Sequence, residues 1–392
     1  MNVLVINAGS SSLKYQLLDT TTHEVKAKGN CERIGINDSF IGHEERGQKS
    51  KMDVELPNHR VAVQYVFEIL KGAGFDINSI EGIGHRVVQG GWYFSKSEVV
   101  TDDTLQKVRE VAPLAPLHNY AEADVIEICR DLFPSIGNVI VPDTAFHFNM
   151  PEKASRYALP RDVVDKYHIR KYGAHGTSHR YIWYLTHKLM GEKTHKLISC
   201  HIGSGASLCA IQDGKSMDTT MGLTPLDGLI MGTRTGTIDP ATVFYLYRVG
   251  GYSIDEIDTM MNKQSGLRAL SDISSDSRDI EQAASEGNEH CQMTLKMFYY
   301  RIAQLIAEMA QSMHGFDTIV FTAGIGENSE LTRAEVAKEL AWLGIKIDVE
   351  KNKVRSDEPR IISTDDSAAT VLVVPTNEEL MIAMDVEDLL GK

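Results

Sequence analysis

Three short strings set a cation or an imidazole among glycines: GHRVVQGG (84–91) carries Arg86, YGAHGTSH (172–179) carries His175, and MGTRTGTIDP (231–240) carries Arg234. Glycine beside such a group lets a ligand approach the backbone closely. Arginine is shaped for bidentate contact with carboxylate or phosphate. A single arginine of this kind reads as a surface ion pair. Three such side chains, in a chain with a formal net charge of −14, read better as a clamp for a small anion. The same acidic balance argues against nucleic acid and anionic membrane as general partners. Two acids stand in comparable settings. Asp143 ends the apolar run Val139–Val141 in VPDTAFH, where an α/β sheet presents functional groups. In VLVVPTNEEL, Thr376 and Glu379 have capping-box spacing, which gives Glu379 a structural task. That leaves Glu378 free to reach a metal ion or to serve the helix dipole.

The elements that hold these groups alternate between strand-like and helix-like runs, as in an α/β protein. At 392 residues the chain is long enough for two domains. Five scattered cysteines without a CxxC pair read as reduced thiols, and neither a signal peptide nor an 18-residue apolar run is present. These features predict a soluble cytoplasmic protein. An internal echo is the informative pattern: VLVINAGSSSLKYQL (3–17) resembles LISCHIGSGASLCAI (197–211), each an apolar strand, a glycine- and serine-rich turn and a second strand. Such turns can direct backbone N–H groups at phosphate. Neither is a Walker A loop or a dinucleotide fingerprint, because Gly-x4-Gly-Lys is absent and a strand follows each turn. Residues 296–314 carry Phe298, Ile302, Leu305, Ile306, Met309 and Met313 at helical spacing, a core helix stopped by Gly315. DTIVFTAGIGENSE then reads as a buried strand entering a glycine turn, followed by a helix with Thr332 and Glu335 in capping-box spacing.

Taken in order, NAGSSSLK, GHRVVQGG, PLHN, DTAFH, YGAHGTSH, CHIGSGAS, MGTRTGTIDP, SSDSRD, FTAGIGENS and PTNEEL resemble the acetate kinases, the acetokinase family, from residue 2 to about residue 385. The resemblance implies duplicated ribonuclease-H-like α/β domains of the sugar kinase, heat-shock chaperone and actin superfamily, with an interdomain ATP cleft. Residues 1–148 with 378–392 would form the substrate and metal side, and 149–377 the nucleotide-binding and dimerising domain. The implied reaction is reversible transfer of the ATP γ-phosphoryl group to acetate, giving acetyl phosphate and ADP. It would use Mg2+, or Mn2+ in its place, in a homodimer without nucleic-acid or membrane partners.

Carried over by position, the resemblance implies that Arg86 and Arg234 hold the carboxylate and the transferring phosphoryl group, and that His175 steadies the transition state. Asp143 would be the essential acid. Asn7 and Glu378 would lie by the metal, and Ser12 and Lys14 by the phosphates. His201-Ile202-Gly203-Ser204-Gly205 would be the second phosphate loop. Asp276-Ser277-Arg278 and Gly324-Ile325-Gly326-Glu327-Asn328 would surround the adenosine. Val88, Leu117 and Pro225 would line the pocket for the substrate methyl group. The chemistry is consistent, because acetate is already ionised at neutral pH and direct in-line attack needs charge neutralisation rather than a strong base. Asp143 is then better read as ordering the metal shell or the arginine network.

Some positions depart from the family's pattern. Ser204 stands for the usual Asn, Gln89 for His, Thr237 for Asp, Ala174 for Phe and Tyr120 for Pro. The loss of an aromatic wall at Ala174 would widen the substrate pocket and bring propionate into question. Two alternatives follow: a propionate kinase, and a nucleotide-dependent chaperone or filament protein on the same fold, in which the Arg86, His175, Arg234 set has no purpose.

Overall fold

The computed structural model describes residues 1–391. The chain divides into two units, Met1–Phe148 with the segment from Asn377 onward, and Asn149–Thr376. In the first unit, β1 (Asn2–Ala8), β2 (Ser12–Asp19), β3 (Val25–Glu32), β4 (Phe40–Glu45) and β5 (Gln48–Asp53) form an antiparallel meander. With β6 (Gly82–Val87), β7 (Glu98–Val99) and β8 (Gly137–Pro142) they make one sheet in the order β5-β4-β3-β2-β1-β6-β8-β7. β6 joins β1 in parallel, and β8 joins β6 in parallel. The Val3–Ile6 run of β1 is apolar on both faces because β1 lies mid-sheet, covered on both sides. β5, QKSKMD, is exposed at every residue, and its lysines blunt the sheet edge.

The second unit contains β9 (Lys196–Ile202), β10 (Ala206–Gln212), β11 (Lys215–Thr219), β12 (Thr318–Thr322), β13 (Arg360–Ile361) and β14 (Thr370–Val373), ordered β11-β10-β9-β12-β14-β13. Here β9, β10 and β11 run antiparallel, while β12 joins β9 and β14 joins β12 in parallel. Hence β3-β2-β1-β6-β8 and β11-β10-β9-β12-β14 are the same five-strand plan twice. This is the duplicated α/β fold of the sugar kinase, heat-shock chaperone and actin superfamily. The sequence echo falls on the first two strands of each copy.

Two helices matter for positioning. Glu289–Ser312, capped by Asn288, lays Phe298, Ile302, Ile306 and Met309 into the second unit's core and ends before Gly315 at φ +113°. Glu378–Leu390 returns to the first unit and packs Ile382 and Val386 with Val3, Val5 and Val139. Its approach requires glycine in β6: a Cβ on Gly82 or Gly84 would come within 2.5 Å of Val386 or Ile382. No helix among the described residues is long and apolar enough to cross a membrane.

Three local expectations are corrected. The helix after FTAGIGENS starts at Glu330, and its cap is Ser329, whose hydroxyl accepts from Thr332 N at 3.0 Å, so Thr332 and Glu335 form no capping box. The final helix is capped by Asn377, which accepts from Leu380 N at 2.9 Å, so Thr376 and Glu379 form none either. Gly324–Asn328 belongs to a short helix, Ala323–Asn328, rather than a turn. The Glu327 carboxylate ties it down by accepting from Ala323 N at 2.7 Å and Thr376 N at 3.1 Å.

Candidate active site

Parallel strands present loops at their carboxyl ends, where α/β sheets bind ligands. In the first unit those ends carry Asn7 in β1, Arg86 in β6 and Asp143 just after β8. Asp143 is fully buried, and its Oδ2 accepts from Arg86 Nη2 at 2.6 Å and Nε at 3.1 Å. Glu378 Oε2 stands 3.9 Å from Arg86 Nε, and Asn7 Oδ1 is 3.5 Å from Arg86 Nη1. Asp143 thus holds the Arg86 guanidinium by two hydrogen bonds to one carboxylate oxygen. Burial alone would lower the Arg86 pKa, but the surrounding carboxylates, Asp143 foremost, raise it on balance. Burial pushes the Glu378 carboxyl up to about 7 against the pull of Arg86.

The β1–β2 link is closed by Gly9 N donating to Ser12 O at 2.8 Å, and His59 Nε2 lies 2.8 Å from Gly9 O. Asn7 and Lys14 face each other in the ladder, Lys14 exposed and Ser12 partly so. A cavity of about 420 Å3 beside this hairpin is lined by Asn7, Lys14, Lys28, Lys49 and Glu379. Glu379 therefore faces a polar hollow instead of capping its helix.

The second unit repeats the arrangement with different side chains. The β9–β10 link, Gly203-Ser204-Gly205, is closed by Gly203 N to Gly205 O at 3.2 Å, and Ser204 O accepts from Gly232 N at 2.9 Å. A Cβ on Gly205 would lie 3.6 Å from Arg234 Nη1 and 3.7 Å from His175 Nε2, so both tips converge over the loop. Arg234 donates to Pro225 O at 3.0 Å, and no carboxylate among the described residues lies within ion-pair distance of it. Burial lowers its pKa.

His175 occupies the left-handed region at φ +53°, immediately before the Gly176–Met190 helix. Its Nδ1 meets Ser207 Oγ at 2.8 Å, and Ser207 Oγ meets His179 Nε2 at 2.8 Å. His179 Nδ1 in turn meets Ser199 Oγ at 2.8 Å. The His175 ring stacks on His201 at 4.1 Å, and His201 Nδ1 meets Ser178 Oγ at 2.8 Å. This buried network fixes which ring nitrogen faces the loop.

The remaining expected residues are distributed as follows. Val88 is buried, Leu117 is 56% exposed, and Pro225 is partly buried. Ile202 is wholly buried. Asp276 caps the Ser277–Ser285 helix and pairs with Arg278, whose hydrogen bonds hold the Asp276 carboxyl down at about 2. Ile325 packs against the core, while Gly324 and Asn328 are exposed.

Several departures prove structural. Ala174 is 3% exposed and packs in the second unit's hydrophobic core. Gln89 Oε1 accepts from Gly91 N at 2.9 Å and tightens a buried turn. Thr237 donates to Asp227 at 2.7 Å on the surface. Ser204 and Tyr120 are exposed.

Sequence reasoning missed four groups. Ser178, His179, Ser199 and Ser207 form the network just described; the signal was the clustering of hydroxyls and histidines in GTSH and on both strands of the second hairpin. Asn119, within PLHN, is wholly buried and accepts from Gln89 N at 3.1 Å while donating to Gln89 O at 2.7 Å. Glu122 is 2% exposed and accepts from Val88 N at 3.0 Å. Finally, Phe244, Tyr245, Tyr247, Val249, Tyr252 and Ile254 form an exposed apolar stretch on and after the Ala241–Arg248 helix, which buries none of its residues.

The chain matches the family described as "Acetokinase family" over residues 2–384. It is 49% identical over 400 residues to an acetate kinase of Thermosipho melanesiensis, covering all of this chain and 98% of the relative. A crystal structure of Porphyromonas gingivalis acetate kinase superposes with a TM-score of 0.94 at 40% identity over the whole of both chains. A propionate kinase from Francisella tularensis superposes with a TM-score of 0.94 at 39% identity over 99% of each chain.

Proposed function

The chain belongs to the acetokinase family, and from that premise we propose how its own residues serve the transfer of the ATP γ-phosphoryl group to acetate. The activity is that of an ATP-dependent phosphotransferase making acetyl phosphate. One observation carries the assignment of roles: Arg234, largely withdrawn from water and without a carboxylate partner, aims with His175 Nε2 over the glycine tip of the β9–β10 loop. A buried cation left uncompensated is a standing penalty unless an anion binds there. We assign that anion as the transferring phosphoryl group. Its charge, spread over three equatorial oxygens, is met by Arg234 and His175.

Arg86, ordered by Asp143, receives the acetate carboxylate, and Val88, Leu117 and Pro225 supply apolar walls for the methyl group. The acetate oxygen attacks phosphorus in line; the bond to the ADP oxygen breaks as the new one forms. Acetate enters ionised, so no proton has to be removed. The β9–β10 loop and the Asp276-Ser277-Arg278 and Gly324–Asn328 segments are assigned to ATP.

The residues also fit Mg2+. Asn7 and Glu378 offer hard oxygen donors near one guanidinium, and burial and the neighbouring Asp143 and Glu379 raise the Glu378 carboxyl's pKa, which a bound cation would lower. No group of three or more acidic, histidine or cysteine side chains among the described residues could hold an ion alone. Phosphate and water would therefore complete the shell, as Mg2+ prefers. When bound, the ion supplies charge neutralisation at the phosphates.

The substrate profile tests this reading. With acetate, propionate and butyrate offered in a hydroxamate assay, kcat/KM should be highest for acetate and fall about tenfold per added methylene against the Val88 wall. A propionate value above acetate would favour the propionate kinase alternative, which the Francisella likeness keeps in view. No turnover with acetate would restore the chaperone or filament reading.

A homodimer through the second unit is likewise proposed, on the strength of the exposed Phe244–Ile254 stretch. Tyr245→Glu with Tyr247→Glu should convert a dimer to a monomer in light scattering. An unchanged mass would place the interface elsewhere. The five cysteines, all buried, suit a reducing compartment such as the cytoplasm.

A further inference from the structure

The turn after β6 is held from its buried side by two side chains of the Asn119–Leu132 helix. Asn119 brackets Gln89 through both its N–H and its C=O, and Glu122 Oε2 accepts the Val88 N–H at 3.0 Å. These bonds take the place of a neighbouring strand, so the helix sets where Val88 stands relative to Arg86, two residues earlier. Glu122 also has unspent capacity, since its Oε1 is buried and accepts no hydrogen bond. A carboxyl in a site that needs only one acceptor calls for an explanation beyond packing.

We infer that Glu122 is a positioning residue that tunes acyl-substrate binding by fixing the Val88 backbone, two residues from Arg86, from the buried side. The inference rests on the assignment of Val88 as the wall of the methyl pocket. Burial pushes the Glu122 carboxyl up to about 8; Arg86 and the Val88 N–H pull it down, and Asp143 pushes it up. The charged groups acting on it are Arg86 from β6 and Asp143 beyond β8. Below that pH, neutral Glu122 holds Val88 without adding a negative charge near Arg86. Above it, the ionised carboxylate adds a negative charge in the field of Arg86, against which acetate has to bind, while its bond to Val88 is kept.

The test measures KM for acetate and the propionate-to-acetate ratio of kcat/KM across about pH 6.5 to pH 9.5 in the full-length protein. Wild type is compared with Glu122→Gln, Glu122→Ala and Val88→Ala. In wild type the acetate KM should rise about tenfold per pH unit at most above pH 8. Glu122→Gln, which keeps an acceptor for Val88 but cannot ionise, should remove that rise and leave the ATP KM alone. Glu122→Ala should shift the propionate-to-acetate ratio by about fivefold, in the direction Val88→Ala shifts it.

A pH rise that persists in Glu122→Gln overturns the inference, as does a wild-type ratio in Glu122→Ala when Val88→Ala has moved it. If Val88→Ala leaves the ratio unmoved, the pocket assignment fails first and the inference with it. Should Glu122→Ala not fold, the pH profile of Glu122→Gln decides alone.

Discussion

Arg234→Met is expected to lower kcat by about a thousandfold or more while leaving the protein as stable as before, or more so. The two effects have one cause. Arg234 is desolvated and faces no carboxylate; it donates to Pro225 O at 3.0 Å and approaches Met231 Sδ at 3.5 Å. Methionine keeps an unbranched stem against those neighbours and removes an uncompensated charge. Acetyl phosphate formation by hydroxamate assay and thermal unfolding read the two halves separately. A variant that is both active and less stable would show Arg234 to be a structural cation. If Arg234→Lys recovers little, the planar fork matters and not the charge alone.

Arg86→Ala should lose a comparable part of kcat but move stability in the opposite direction. Its guanidinium satisfies Asp143, a carboxylate with no exposed surface, through bonds of 2.6 and 3.1 Å. Removing one partner of such a pair leaves a buried charge and costs about 3–5 kcal/mol. The double variant Arg86→Ala with Asp143→Ala should recover much of that stability and none of the activity. Denaturant titrations of the two single variants and the double complete the cycle. A cycle without coupling would mean that Asp143 is held by other groups and that its role lies elsewhere in the site.

What could be read from the sequence follows the range of the interactions. The twin hairpins were legible because strand, glycine turn and strand lie within fifteen residues of chain, and the motif resemblance carried the rest of the fold. Arg86 and Asp143, by contrast, are 57 residues apart, and no spacing rule links them. Both supposed capping boxes satisfied their spacing and still failed. Ser329 and Asn377 took the caps, and the Thr376 hydroxyl is engaged by Ser178 at 2.8 Å. GIGEN looked like a loop because glycine disfavours helix, yet Glu327 supplies enough capping to hold one. Glu122 drew no notice because an acid on an amphipathic helix ordinarily faces water. Its near-complete burial depends on how that helix seats against β6 and on nothing local.

The return of the Glu378–Leu390 helix to the first unit also dictates an order of events during synthesis. As the chain leaves the ribosome, β1, β6 and β8 emerge long before the segment that covers Val3, Val5 and Val139. The second unit, contiguous from Asn149 to Thr376, can complete itself first. Until Ile382 and Val386 arrive, the glycines of β6 line an apolar trough open to water or to a neighbouring nascent chain. The nascent protein therefore carries a first unit with one sheet face uncovered until the Glu378–Leu390 helix brings Ile382, Val386 and Glu378 at once.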